Sequence, residues 1–301
     1  MKRIAIVGAN SFIGRNVIYV LKQKEGMEFK LYDYSPKQID SEENYYQIDI
    51  LSRTSIKKID LDCDVVFLFV GKTGSVNGFD EYDDFLNINE RALLNLLNEY
   101  RRQKSKAKII FPSTRLVYRG ATEPQKETAD KEFKTIYAMN KFACEQYLQQ
   151  YNRVFGIKYC IFRISVPYGS LIPGASSYGT AEFMLGKAKK GQDISLYGDG
   201  SVRRTLTYIG DLANTLIEGA FADGCMNDVY NIGGEDYSLK EMAEVISEKY
   251  NVGIQYIPWP EIAEKIESGN TVFNDDKLQK VIGNTVMNKF VDFAAADGRM
   301  D

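Results

Sequence analysis

The chain has 301 residues, enough for one large domain or two closely associated ones. A formal net charge of −3 and 26% charged residues give no global pull toward nucleic acid or an anionic membrane. Histidine is absent, which excludes a Ser-His-Asp hydrolase, a histidine-ligated zinc site and a histidine general base, and leaves proton transfer to Tyr, Lys, Cys, Asp or Glu.

Residues 2–7 form a short apolar run that reads as a buried strand, and 12–24 carry helical spacing. The apolar stretch after Met1-Lys2-Arg3 is too short for a signal peptide, and no run approaches the roughly 20 residues that span a bilayer. A cytoplasmic location without membrane contact is the expectation. Residues 31–34 and 45–48 read as the second and third strands, and 65–70 (VVFLFV) as a fourth, continuously apolar because helices cover both faces. A long amphipathic helix is expected over 85–103, a strand over 108–112, a helix over 137–155 and a strand over 158–164. This alternation predicts an α/β fold with a parallel, doubly wound, Rossmann-type sheet.

The pattern changes after Arg163. A loop is expected over 167–178, helices over 181–190 and 210–221, and a capping box, Ser238 to Glu241, opens a helix lasting to about residue 250. The division that follows is a dinucleotide-binding domain at 1–165, with 206–224 returning to it. A smaller mixed α/β substrate lobe takes 166–205 and 225–301, and 292–301 fray. Cys63, Cys144, Cys160 and Cys225 lack metal-ligand spacing and read as free, mostly buried thiols, so no metal site is expected.

Two local patterns carry chemistry. The turn Gly8-Ala9-Asn10-Ser11-Phe12-Ile13-Gly14 fits dinucleotide binding: Gly8 permits a tight turn at the pyrophosphate, and Gly14 permits close helix packing. The helix amino terminus that follows offers N–H groups to phosphates, while Ser11 stands where a middle glycine is common. Asp33, 25 residues after Gly8, is positioned to accept hydrogen bonds from the adenosine ribose, and Asp49-Ile50 end the next strand. Tyr137 and Lys141 lie four apart, on one face of their helix. A phenol is a poor base at neutral pH, and a neighbouring ammonium would stabilise its phenolate. Ser113-Thr114 follow directly on a strand, where a hydroxyl would project from the carboxyl edge of the sheet.

With these motifs in place, the chain resembles the extended short-chain dehydrogenase/reductase family over nearly its whole length, specifically the NAD-dependent nucleotide-sugar epimerases, dehydratases and reductases. Asn89 followed by Leu96-Leu97 resembles the family's asparagine helix, and Pro112 to Tyr118 its catalytic-hydroxyl strand end, with Thr114 as the hydroxyl. Arg163 to Gly169 resembles the entry to the substrate lobe. Gly198 to Arg204 resembles the sugar-nucleotide segment, with Arg204 at the diphosphate and Tyr197 just before it. Tyr208 to Ala213 and Tyr230 to Gly234 complete the match.

The resemblance implies NAD as cofactor, bound by residues 8–14 together with Asp33, Asp49, Ile50, Asn89, Tyr137 and Lys141. It implies catalysis by Thr114, Tyr137 and Lys141 on a nucleotide sugar held by Arg204, Tyr197 and the Val166 position. Tyr137 would take the proton of a sugar hydroxyl as hydride passes to the nicotinamide, with Thr114 orienting the oxygen and Lys141 on the nicotinamide ribose. Return of the hydride to the other face makes an epimerase. Reduction of an exogenous keto sugar by the same residues makes a reductase, and a non-catalytic dinucleotide-binding regulator is the remaining alternative.

There are departures from the family pattern. Val166 replaces a common substrate-binding asparagine, and Arg119 replaces the glycine after Val-Tyr. Arg115-Leu116 stand where sugar 4,6-dehydratases carry an acidic pair, which disfavours that reaction. Lys72 lies beside the cofactor or in solvent. A homodimer is implied by analogy, through Leu93, Leu96, Leu97, Tyr100, Tyr147, Leu148 and Tyr151, unless these residues face the sheet.

Overall fold

A computed structural model describes residues 1–40, 43–173, 175, 179–283 and 287–296. The expected loop at 167–178 and the fraying tail at 292–301 fall partly outside them. Seven parallel strands form the main sheet: β1 (Lys2–Val7), β2 (Met27–Asp33), β3 (Tyr45–Gln47), β4 (Val65–Leu68), β5 (Lys108–Thr114), β6 (Lys158–Ile164) and, after the lobe strands β7 (Val166–Tyr168), β8 (Ile194–Tyr197) and β9 (Arg203–Tyr208), β10 (Asp228–Asn231). Their order is β10-β6-β5-β4-β1-β2-β3. The strand order reverses between β1 and β4, and the crevice outside their carboxyl ends is where such sheets bind ligands. All four residues of β4 are buried, as a strand covered on both faces requires.

Local chemistry sets the helix ends. Ser11 caps α1 (Phe12–Lys22) by accepting from the Gly14 N–H. The expected helix at 85–103 is three pieces: α2 (Tyr82–Phe85), a π-helical stretch at Leu86–Arg91, and α3 (Ala92–Arg102). The wider π turn carries Asn89, and such turns recur at functional sites. Thr135 caps α4 (Ile136–Phe155), which Gly156 ends in a left-handed conformation, φ 69°. Then come α5 (Thr180–Ala188) and α6 (Ile209–Phe221), which packs on the main sheet and on α1. The expected capping box is formed in full at α7 (Leu239–Tyr250).

The lobe holds two small sheets. One runs β11 (Glu235–Ser238), β9, β7, and the other pairs β12 (Ile254–Ile257) with β8. Three short helices complete the chain: α8 (Glu261–Ile266), α9 (Asp276–Ile282) and α10 (Phe290–Ala295). The main sheet reaches further along the chain than a boundary at 225 allows. Four residues of β10 pair with Cys160–Arg163 and close the sheet edge, bringing Asn231 beside Arg163.

Most of the helical side chains expected at a dimer face pack on the sheet, the alternative placement for them. Leu93, Leu96, Leu97, Tyr100 and Leu148 are buried against the sheet, with Tyr147 and Tyr151 packed on the same cluster. The apolar stripes of α3 and α4 cover the sheet, and of these residues only Tyr147 and Tyr151 remain half-buried. Cys63, Cys144, Cys160 and Cys225 are free thiols, all buried except the half-buried Cys63. Among the described residues no helix is long and apolar enough to cross a membrane.

Candidate active site

Gly8 ends β1 with φ 90°, and a Cβ there would stand 2.7 Å from the main chain of Phe69 and Val70 at the end of β4. A Cβ on Gly14 would meet the Gly8 carbonyl oxygen at 2.5 Å. Both glycines are therefore steric requirements of the turn. Ser11, in the middle-glycine position, ties the turn together: its Oγ donates to the Gly8 carbonyl at 2.7 Å and accepts from the Gly14 N–H at 3.1 Å.

Asp33 stands at the carboxyl end of β2. Its Oδ2 accepts from the Asn10 N–H at 2.9 Å and its Oδ1 from the Ser35 N–H at 3.2 Å. A carboxylate has about four acceptor sites, so the two amides orient it and leave capacity for a ligand hydroxyl. The Asn10 side chain turns toward the following loop, donating to the Lys37 carbonyl and accepting from the Ile39 N–H. Phe12 and Ile13 pack partly into the core, and Ile50 is buried there. Asp49 accepts from the Leu51 N–H at 2.9 Å and shapes the turn after β3.

The residues expected to react, Thr114, Tyr137 and Lys141, lie near the carboxyl end of β5. Thr114 is the last residue of β5, and its Oγ1 accepts from the Leu116 N–H at 3.3 Å. Lys141 is buried on α4. Its Nζ donates to the Pro112 carbonyl at 2.8 Å and lies 5.9 Å from the centre of the Tyr137 ring. Burial pushes the Tyr137 phenol well above its ordinary value and pulls the Lys141 ammonium down to about 8. In the protein alone Lys141 therefore does not make Tyr137 acidic: its proton points at a carbonyl, and desolvation outweighs the remaining attraction.

Asn89 does a different job from the expected direct hold on the cofactor. Its Oδ1 accepts from the Lys72 N–H at 2.9 Å and its Nδ2 donates to the Lys72 carbonyl at 3.1 Å, fixing the loop after β4. The Lys72 ammonium pairs with Glu81 at 2.5 Å and Asp84 at 2.7 Å. Ser165, directly after β6 and not singled out in the sequence, has a buried Oγ with no hydrogen-bond partner among the described residues. Its only sequence signal was its position between a strand end and the lobe.

On the lobe side, Arg204 in β9 is buried. Its Nη2 meets the Glu267 carboxylate at 2.5 Å and its Nη1 donates to the carbonyls of Gly269 at 2.6 Å and Arg203 at 2.8 Å. Arg203 points the other way, to Asp236 and Glu241. Arg115, next to Thr114, donates from Nη1 to the hydroxyls of Ser268 at 3.3 Å and Thr271 at 3.1 Å. Burial, with Arg204 adding repulsion, pulls its guanidinium down to about 9. Tyr197 is exposed and packs on Trp259, their ring centres 5.1 Å apart, and Val166 opens β7 opposite Leu206. Among the described residues no group of three or more His, Cys, Asp or Glu could hold a metal ion.

The model of the NAD dependent epimerase/dehydratase family matches residues 4–233, a span holding the glycine turn, Thr114, Tyr137, Lys141 and Arg204. The chain belongs to that family. The enzymes of this NAD dependent epimerase/dehydratase family use NAD, and the crevice built here has the glycine turn and the oriented Asp33 that such a dinucleotide suits. Among curated relatives, the chain is 28% identical to the UDP-N-acetyl-alpha-D-glucosaminuronate decarboxylase of Bacillus cytotoxicus, over 81% of this chain and 79% of that protein. It is 24% identical to GDP-mannose 3,5-epimerase 1 of Oryza sativa subsp. indica, over 91% and 76%. The fold matches the UDP-glucose 4-epimerase of Thermotoga maritima, solved with UDP-glucose, at a TM-score of 0.85 and 20% identity, covering 97% of this chain and 96% of that one.

Proposed function

We propose that this protein is an NAD-dependent epimerase of a nucleotide sugar, with Thr114, Tyr137 and Lys141 as its catalytic residues. The observation that carries the reading is the juxtaposition of Tyr137 and Lys141, 5.9 Å from ring centre to ammonium, at the sheet edge where Thr114 ends β5. The relatives act on nucleotide sugars, as their names state. When bound, NAD supplies reversible two-electron oxidation of a sugar carbinol. Tyr137 takes the hydroxyl proton during oxidation and returns it during reduction. Thr114 hydrogen-bonds the same oxygen and holds it in line. Lys141 donates to the nicotinamide ribose, and its charge favours the phenolate once the crevice is filled.

A screen of UDP-, dTDP-, CDP- and GDP-sugars with product chromatography tests the reading. Epimer formation at catalytic NAD, with no net change in cofactor redox state, is the expected result. Stoichiometric consumption of reduced cofactor would establish the reductase reaction instead, and dinucleotide binding without turnover of any sugar would mark a regulator.

Asp33 sets the cofactor choice. A 2′-phosphate near its carboxylate meets repulsion of roughly 4 kcal/mol at 4 Å and an effective dielectric of 20, reduced further by solvent at this half-buried position. NAD is expected to bind more tightly than NADP in a fluorescence titration. Equal affinities would show that Asp33 does not face the ribose.

Arg204 is assigned to the diphosphate, which must share or displace Glu267. A guanidinium holds phosphate through charge-assisted hydrogen bonds worth about 1.5–3 kcal/mol. Arg204→Ala should raise KM about ten- to a hundredfold while kcat changes far less, the mark of lost uniform binding. Arg203, held by Asp236 and Glu241 on the outer face, is the control. An Arg203→Ala effect as large as that of Arg204→Ala would reverse the assignment.

A further inference from the structure

Among the described residues, Arg115 has no carboxylate in direct contact. Only its Nη1 has partners among them, two neutral hydroxyls on Ser268 and Thr271. Nε and Nη2 make no hydrogen bond to the described residues, and no carboxylate pairs with the group. The nearby Glu267 carboxylate is taken by Arg204, so two guanidiniums share one negative charge. A guanidinium carries five donors and keeps its charge at neutral pH, and this one is half-buried. A charge left in this state at the heart of a site is a seat for a ligand anion, and two parallel N–H groups suit a carboxylate.

Where the anion sits follows from the chain. Adjacent Cα atoms are about 3.8 Å apart, so Arg115 serves the same end of β5 as Thr114, the hydroxyl assigned to the reacting oxygen. Its other neighbour is Arg204, assigned to the diphosphate, whose main chain pairs with that of Thr271, the residue that accepts from Arg115. With Thr114 on the reacting oxygen and Arg204 on the diphosphate, as assigned above, the residue would stand between the two ends of the sugar. The segment that presents Ser268 and Thr271 to it is itself fixed: the Thr271 N–H donates to the Arg203 carbonyl, and the Ala121 N–H to the Asn270 carbonyl. The guanidinium is held in place while most of its donors stay open.

We propose that Arg115 recognises a carboxylate on the sugar itself, so that the substrate class is a nucleotide-activated uronic acid. The proposal rests on the nucleotide-sugar reading above. The test uses matched pairs that differ only at the sixth carbon, UDP-glucuronate against UDP-glucose and GDP-mannuronate against GDP-mannose, with UDP and GDP alone as further arms. Dissociation constants are measured by calorimetry on the NAD-loaded protein.

The wild-type protein should prefer the uronate of the accepted nucleotide by about ten- to a hundredfold. Arg115→Gln, which keeps a donor for Ser268 and Thr271, should erase that ratio, whereas damage to the fold alone would weaken both members of a pair together. Absence of a uronate preference in the wild type overturns the proposal. So does an Arg115→Gln variant that weakens uronate, neutral sugar and bare nucleotide equally, which would place the residue on the diphosphate. Failure of every nucleotide diphosphate to bind would instead overturn the reading on which the proposal stands.

Discussion

Tyr137→Phe should lower turnover about 10²–10⁴-fold and leave NAD binding close to that of the parent protein. The ring stays in its place on α4 beside Lys141, and only the hydroxyl that trades protons with the sugar oxygen is lost. Steady-state rates on the substrate found by the sugar screen, together with a fluorescence titration of NAD, measure both quantities. A Tyr137→Phe enzyme within a few-fold of the parent would sink the assignment. Lys141→Met should behave differently, weakening cofactor binding and turnover together, because its ammonium is assigned to both. The buried phenol lies above its ordinary range in the protein alone, so its acidity must come from the filled crevice rather than from the resting site.

Elements defined by their own residues were readable in advance. The continuous apolar run of β4, the capping box of α7 and the four-residue spacing of Tyr137 and Lys141 are local patterns, and the structure keeps each of them. Short strands whose reason for existing lies elsewhere were not readable. Ile194–Tyr197 becomes a strand only because Ile254–Ile257 lies alongside it, and Asp228–Asn231 only because β6 offers an open edge. Neither segment has an alternation long enough to announce itself. The π-helical turn at Asn89 is hidden for a related reason: helical periodicity shows where a helix runs, and not where it widens.

The site divides along the same line. Gly8, Gly14, Thr114, Tyr137 and Lys141 are marked by spacing within one strand-turn-helix or one helix. Arg115 acquires its meaning from Ser268 and Thr271, more than 150 residues away. Asn89 and Lys72 illustrate the converse. Their positions were legible, but their partners are a loop main chain and a carboxylate pair that only folding brings together.

Arg163→Met should destabilise the fold by about 3–5 kcal/mol, the largest stability effect expected of a single change here, because it leaves a buried carboxylate without its partner. Glu145 is fully buried one turn after Lys141 on α4. It takes Arg163 Nη2 at 2.6 Å and Nε at 3.0 Å, and accepts from the Ser113 Oγ at 2.5 Å. Arg163 in turn donates to the Tyr118 hydroxyl at 2.7 Å, and that hydroxyl to Asn231 Oδ1 at 2.7 Å, joining β6, β10 and the strand end at Thr114. The network raises the Arg163 pKa even against burial, through Glu145 and Tyr118. Replacing both charges, as Glu145→Leu with Arg163→Met, should cost less than Arg163→Met alone, since no buried charge is then orphaned. Urea unfolding of the two single variants and the double variant measures this, and single variants within 1 kcal/mol of the parent would refute it. The same network fixes α4 against β5, one residue from Thr114 and one turn from Lys141. Variants that still fold should therefore lose turnover as well, because the proton-trading hydroxyl and the ammonium are held in register by the pair that has been broken.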